Sequence, residues 1–298
     1  MSPRISPAAG RTAQRPRGYV NPVEGTSANA KATVVVPTHG RPVALGRCLE
    51  ALRDQSIGLA LQVIVVYDGR ADGPPLAPGV LVVETGARRG PAAARNAGGG
   101  QAATPYVLFT DDDCVPAPDW AERLLGALSG GADVVAGRTT SEASAAARAS
   151  QVITDELMAD VADDGSLRFA PSLNLGCTKD VLAAVPFDDH FGEAAGEDRA
   201  WCLNVRDRGF VIQPVQAAHV DHHPDLTLTH FVRQHVRYGR GSFRYRSRYG
   251  RPPQSPTFYR NLVRRGFRAG PLVGVLVLVA QVATGVGIAG ARLSSFRR

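Results

Sequence analysis

From residue 32 onward the chain alternates short apolar runs with amphipathic stretches. ATVVVPTHGRP (32–42) is a β-branched run stopped by proline and followed by a polar loop. VALGRCLEALRDQ (43–55) then sets Val43, Leu45, Leu49 and Leu52 at helical spacing. LQVIVVYDG (61–69) predicts a second strand closing on an Asp-Gly turn, and VLVVETG (80–86) a third, reached through the Pro/Gly-rich loop RADGPPLAPG. GPAAARNAGGGQAA (90–103) reads as a helix opened by proline and ended by glycines. PYVLFTDDDC (105–114) predicts a strand running straight into three acids. WAERLLGAL predicts a helix, ADVVAGRT (132–139) a strand, and the Ala-rich stretch 141–161 a helix.

These strands lack polar alternation, so both of their faces are expected to be covered. The pattern is that of an α/β domain, a largely parallel sheet with helices on each side. In open sheets of this kind ligands bind beyond the C-terminal strand ends. His39, Gly40, Arg41, Asp68 and Asp111 to Asp113 all fall at such ends. The sequence contains no internal repeat.

Composition sharpens the ends of the chain. With 44% hydrophobic and 20% charged residues in 298, the chain can bury a sizeable core. Its four cysteines are scattered without a CxxC pair, which argues for reduced thiols rather than a disulfide framework or zinc cluster. Residues 1–30 are polar and rich in Pro, Arg and Ser, and are expected to be a disordered tail ahead of a catalytic domain at 31–232. The net charge of +7 is concentrated at 233–268, an Arg/Tyr-rich stretch expected to be helical. It suits a polyanion such as nucleic acid or lipid headgroups, or else is a solvated basic helix. Residues 269–291 carry no charge and have arginines on both sides, as expected of a hydrophobic membrane-associated helix; a buried core helix is the other reading.

Three clusters carry candidate chemistry. Thr110 is followed by Asp111, Asp112 and Asp113 at a strand end. Adjacent carboxylates repel, and a hard divalent cation relieves that repulsion; the alternative is an acidic loop or helix cap. Gly196, Glu197 and Asp198 open a helical stretch after the loop FGEAAG. A carboxylate there is either dipole-stabilised or a general base. His219, His222 and His223 cluster in AAHVDHHPD, at a spacing that is neither a zinc finger nor HExxH, and suggest a metal ligand or proton carrier.

The order of these pieces over residues 32–245 resembles the family 2 glycosyltransferases. VVVPTHGRP resembles that family's first strand and nucleotide loop, VIVVYDG its second strand, and GPAAARN its G-x-x-x-A-R-N helix. FTDDDCVPAPDW is similar to its DXD segment, and NLGCTKDVLAAVPFDDHFGEAAGEDRAW to its acceptor loop and general-base motif. VDHHPDLTLTHFVRQHVRYGRG resembles its histidine strand and the Tyr-Gly-Arg-Gly stretch after it.

The resemblance implies an inverting enzyme of GT-A fold, Rossmann-like, to which the uncharged run adds a C-terminal hydrophobic helix. Asp111, Asp113 and His222 are then expected to bind Mn²⁺ or Mg²⁺, with Asp113 the direct ligand and His219 the second choice of histidine. Pro37, Thr38, Arg41, Asp68 and Arg95 are expected to line the nucleotide, Asp112 to contact ribose or metal, and Asp198 to be the base, with Glu197 a substrate-binding residue and the fallback base. Expected partners are a nucleotide-sugar donor and a glycan, lipid-linked or small-molecule hydroxyl acceptor at the cytoplasmic face of the cell membrane, and not nucleic acid. Tyr67 stands where the family often has an acid, which leaves base selection open. The QxxRW motif of processive synthases is absent near Arg206, which implies transfer of single sugars. Two rival readings are a nucleotidyltransferase, for which PTHGRP is a poor loop, and a silent polyanion-binding protein, which would not need the acids.

Overall fold

The computed structural model describes residues 29–71, 76–192 and 195–295. The expected N-terminal tail therefore lies almost entirely outside the described residues, as do parts of the loops RADGPPLAPG and FGEAAG. In chain order the elements begin with β1 (Ala32–Thr38), α1 (Pro42–Arg53), β2 (Leu61–Tyr67), β3 (Val80–Glu84), α2 (Pro91–Gly100) and β4 (Tyr106–Phe109). There follow β5 (Cys114–Pro116), α3 (Trp120–Ser129), β6 (Val134–Thr140), α4 (Ala145–Met158), β7 (Leu175–Thr178) and α5 (Lys179–Ala184). The chain continues through α6 (Glu197–Asp207), β8 (Ile212–His222), α7 (Leu228–Tyr249), α8 (Pro256–Ala269) and α9 (Pro271–Ser295).

The strands form one sheet in the order β3-β2-β1-β4-β7-β6-β8-β5. The expectation of parallel pairing holds from β3 to β4 and again between β6 and β8. β7 runs antiparallel to both β4 and β6, and β5 antiparallel to β8, so the sheet as a whole is mixed. Both faces are covered. Val35, Ile64, Val66, Val107 and Phe109 pack on one side, and Val34, Val36, Val65, Leu108 and Trp120 on the other. Successive residues of β1 thus enter opposite cores, which is why its run of valines shows no polar alternation.

One boundary differs from the pattern in a way that matters. The expected strand at 105–114 breaks at Phe109, and its far end becomes β5 on the opposite edge of the sheet. Three consecutive carboxylates cannot alternate between two apolar cores. They occupy instead the turn that crosses from β4 to β5, closed by the Cys114 N–H bonding the Asp111 carbonyl at 3.1 Å.

The basic stretch is also reorganised. α7 starts at Leu228, ahead of the expected boundary at 233, and ends where Gly250 takes the left-handed conformation (φ 62°) before two prolines. α9 is long and apolar enough to cross a membrane, with mean hydropathy 2.3. It nevertheless packs on α4, α7 and α8 through a third core of Ala149, Phe231, Leu262, Val273, Val277 and Ala280. Small residues permit that approach: a Cβ on Gly239 would lie 3.0 Å from the Cα of Gly287, and a Cβ on Gly266 3.2 Å from that of Gly274. The opposite face exposes Leu272, Val275, Leu278, Val282, Val286 and Leu293.

Candidate active site

The crossover turn is held from two sides. At the end of β1 the Thr38 hydroxyl donates to Asp112 Oδ2 at 2.6 Å. Arg41, just before α1, places Nη2 2.5 Å from Asp112 Oδ1 and Nη1 2.5 Å from Asp113 Oδ2. The Asp112 side chain is fully buried, and burial pushes its pKa up to about 6 although Arg41 and Thr38 pull it down. For Asp113 burial also acts upward, but His222 and Arg41 overcome it and hold the carboxyl at about 2. His222 is correspondingly raised by Asp113 against the effect of its own burial.

Sheet register puts His222 there. β8 pairs with β5 so that His222 lies opposite Cys114, the residue after the acids. Between Gly137 and Arg138 of β6, the partner on β8 jumps from Val215 to His219. Asn174 secures this bulge by donating to the carbonyls of Arg138 and Ala218 and accepting from the Trp120 indole at 2.8 Å. His222 Nε2 then sits 3.4 Å from Asp113 Oδ1, whereas His219 turns to Thr140. Of the two candidate histidines, His222 is the one at the acids.

Arg95 on α2 is the other anchor. α2 lies close on the sheet because Gly98 packs against Val35 and Val66, where a Cβ would fall within 2.8 Å of the Val66 side chain. From there the guanidinium, 3% exposed, reaches Asp111 at 2.8 Å, Glu197 at 3.3 Å and Asp198 at 3.7 Å. The Phe187 ring lies beneath it, 5.7 Å from its centre. Arg95 therefore joins the acidic turn to the first turn of α6 rather than pointing freely into the crevice. Burial and the neighbouring Asp198 push the pKa of Glu197 up, and burial does the same for Asp198 although Arg95 and Ser172 oppose it. The two acids differ in access, with the Asp198 side chain 24% exposed and that of Glu197 9%. Ser172 donates to Asp198 through its hydroxyl at 2.8 Å.

The remaining expected residues divide. Pro37 pairs with Val66 beyond the last β1–β4 pair, where its missing N–H costs no ladder bond. Asp68 is largely used by the protein itself: its oxygens accept from the backbone N–H groups of Arg89 (2.7 Å) and Gly90 (2.9 Å), shaping the loop into α2. The Asp113 carboxylate suits either Mn²⁺ or Mg²⁺, whereas the His222 imidazole favours Mn²⁺ over the strictly oxygen-seeking Mg²⁺. Their 3.4 Å spacing is near the about 3 Å between neighbouring ligands on one such ion. Asp111, expected as a third ligand, is turned toward Arg95. A tighter trio, Asp188, Asp189 and His190, lies elsewhere, with its carboxylates already facing Arg248 and Arg89. Sequence reasoning missed Ser172 and Asn174. Their only signal is the polar pair inside PSLNLG, in an otherwise apolar segment entering a strand.

Known proteins share part of this sequence and this fold. Residues 33–154 match the family described as Glycosyl transferase family 2. The chain is 26% identical over 230 residues to Glycosyltransferase AglE of Haloferax volcanii, covering 72% of this chain and 74% of that protein. It is 35% identical over 114 residues to the pre-mycofactocin glycosyltransferase of Mycobacterium tuberculosis, covering 36% of this chain and 23% of the other. Among solved structures it resembles the mannosyltransferase PcManGT from Pyrobaculum calidifontis, in complex with GDP-Man and Mn²⁺. The TM-score is 0.57 at 16% identity, over 95% of this chain and 83% of that one. S. aureus TarS matches with TM-score 0.55 at 15% identity, over 87% and 54%.

Proposed function

This chain is a glycosyltransferase of family 2 on the GT-A fold, and from that premise we propose that it transfers one sugar from a nucleoside-diphosphate sugar to a hydroxyl acceptor, inverting the anomeric carbon. The observation that carries this reading is Asp198: half-buried, hydrogen-bonded by Ser172, and linked through Arg95 to Asp111 across the crevice. Its burial-raised pKa makes it a better base than an ordinary aspartate, and its exposure favours it over Glu197.

In the reaction the acceptor hydroxyl gives its proton to the Asp198 carboxylate as its oxygen bonds the anomeric carbon. The bond from that carbon to the diphosphate oxygen breaks, and the electron pair leaves with the nucleoside diphosphate. Asp113 and His222 would hold a divalent cation, with Asp111 adding negative charge nearby. When bound, the cation neutralises charge developing on the leaving group. The Mn²⁺ and GDP-Man of PcManGT support this assignment by analogy of fold. Thr38 and Arg41 fix Asp112 and Asp113, and with Pro37 and Asp68 they shape the wall on which the nucleotide would lie.

The acceptor is a glycan, a lipid-linked sugar or a small hydroxyl compound, not nucleic acid. The outward apolar face of α9 favours work at a membrane. One face of this helix is occupied by α4, α7 and α8, so it lies along the surface of the bilayer rather than standing alone across it. The catalytic domain faces the cytoplasm, where nucleotide sugars are made. A panel of nucleotide sugars incubated with the full chain and acceptor-bearing membranes, scored by nucleoside diphosphate release, tests the reading. Metal-dependent release that Asp198→Asn abolishes is expected; no release from any donor, with none bound, overturns it.

A further inference from the structure

Behind α6, away from the acids, lies a cavity of about 270 Å³ that shares no residue with the site above. Four guanidiniums line it, those of Arg168, Arg199, Arg206 and Arg251, and its one carboxylate is that of Asp160. Arg199 and Arg206 come from α6, seven residues apart and hence on one helix face. Arg168 is satisfied by Asp160 at 3.2 Å, and Arg251 faces Asp207 at 3.7 Å. Among the described residues Arg199 and Arg206 form no ion pair within 4 Å, although hydrogen bonds from Ser166, helped by the charge of Arg206, lower the pKa of the exposed Asp164. Arg199 has only the face of Tyr245, 5.4 Å from its centre. The other walls are Leu157, Phe169, Leu203, Pro252 and Pro253, with the polar Gln254 beside them.

We propose that this cavity is a binding site for a phosphate monoester carrying a small apolar or aromatic body. A half-buried guanidinium without a counter-charge is costly, and the tyrosine ring offsets only part of that cost. Burial, reinforced by repulsion from Arg246, already weakens the hold of Arg199 on its proton. Two unpaired cations call for more than one negative charge. A phosphate ester brings about −1.5 to −2, where a carboxylate brings a single charge. Arginine forks match phosphate oxygens in pairs. The prolines of the α7–α8 connection and the Phe169 ring give the ester's organic part a surface, so that inorganic phosphate alone would fill only part of the space. Because Arg199 follows Asp198 in the first turn of α6, an occupant here bears directly on the element that presents the base.

The experiment is calorimetry on the full-length chain in EDTA, which suppresses metal-linked donor binding, with phenyl phosphate as the soluble probe. Phosphatidylcholine vesicles with and without phosphatidic acid form the lipid arm. Saturable binding of phenyl phosphate is expected. Arg199→Gln with Arg206→Gln should weaken it at least about tenfold, the equivalent of one charge-assisted hydrogen bond. The Lys/Lys pair should retain part of it, and nucleoside diphosphate binding in the presence of metal should be unchanged throughout. Should the Gln pair fail to fold, Arg206→Gln alone reads the same loss. Arginine-dependent binding confined to phosphatidic acid vesicles supports the site and makes its ligand a lipid headgroup. Absence of saturable binding in both arms, or equal binding by wild type and the Gln variants, overturns the proposal.

Discussion

Arg95 and Asp111 form a part-buried ion pair 2.8 Å long, and the same guanidinium reaches back to Glu197 and Asp198. One cation thereby fixes the distance between the acidic turn after β4 and the start of α6. Three carboxylates oppose the burial that would depress Arg95, and they hold its pKa above the ordinary value. The pairing works in both directions, since without the arginine the acids would repel one another at close range.

Arg95→Met should therefore destabilise the fold by about 3–5 kcal/mol, because it leaves buried carboxylates uncompensated. Arg95→Lys keeps the charge but can no longer reach Asp111 and the α6 acids on separate nitrogens. It should fold, with turnover reduced more than donor affinity. Urea denaturation and steady-state kinetics on both variants check this; wild-type stability for Arg95→Met would remove the anchoring role.

Asp198→Asn should lower kcat by about 10²–10⁴-fold with donor affinity nearly intact. The pH profile adds a finer test. A base must be deprotonated to act, and burial raises the pKa of Asp198, so kcat/KM should fall on the acid side at a pH above the usual carboxylate range of about 3.9. Ser172 donates to the ionised form and lowers that pKa. Ser172→Ala should then move the acid limb to higher pH. A limb that stays put, or moves down, would separate Ser172 from the base.

The α/β class, the strand ends carrying Arg41, Asp68 and the three acids, and the helix at Arg95 were all legible from local pattern. What was not legible depends on pairings between distant residues. No periodicity reveals that β5 splits from β4 to join β8, yet that pairing decides for His222 over His219. Nor could spacing show that Asp111 is drawn to Arg95 while Asp68 is consumed by backbone N–H groups. Ser172 and Asn174 escaped notice because short polar side chains acquire their roles only from the partners that the fold brings to them.

Donor binding should depend on a divalent cation held at Asp113 and His222. In calorimetry with a nucleoside diphosphate, EDTA should remove most of the affinity and Mn²⁺ or Mg²⁺ restore it. His222→Ala should weaken the metal-linked part, and Asp113→Asn should weaken it further, since it also loses an Arg41 contact. His219→Ala should leave it unchanged, because that ring faces Thr140. Equal affinity with and without chelator would take the metal out of the site.

The two faces of α9 have separable roles, one in the core and one turned outward. Removing the helix would be a poor test, because Val273, Val277 and Ala280 complete a core with Phe231 and Leu262, and a chain ending before it would lose that packing too. Val275, Val282 and Val286 instead share the outward face, each roughly half exposed or more. Replacing all three with glutamine keeps helix propensity and charge while removing the apolar surface. Each valine carried into lipid contributes up to about 1.5 kcal/mol, about tenfold in partitioning. The triple variant should melt like wild type, turn over a soluble acceptor normally, and float with vesicles at least a hundredfold less, roughly, even if only two-thirds of that energy is realised. Wild type should resist a high-salt wash, because lipid contact through uncharged side chains is not screened. If wild type stays in solution beside vesicles, or the variant binds them equally well, the outward stripe of α9 is not what meets the membrane.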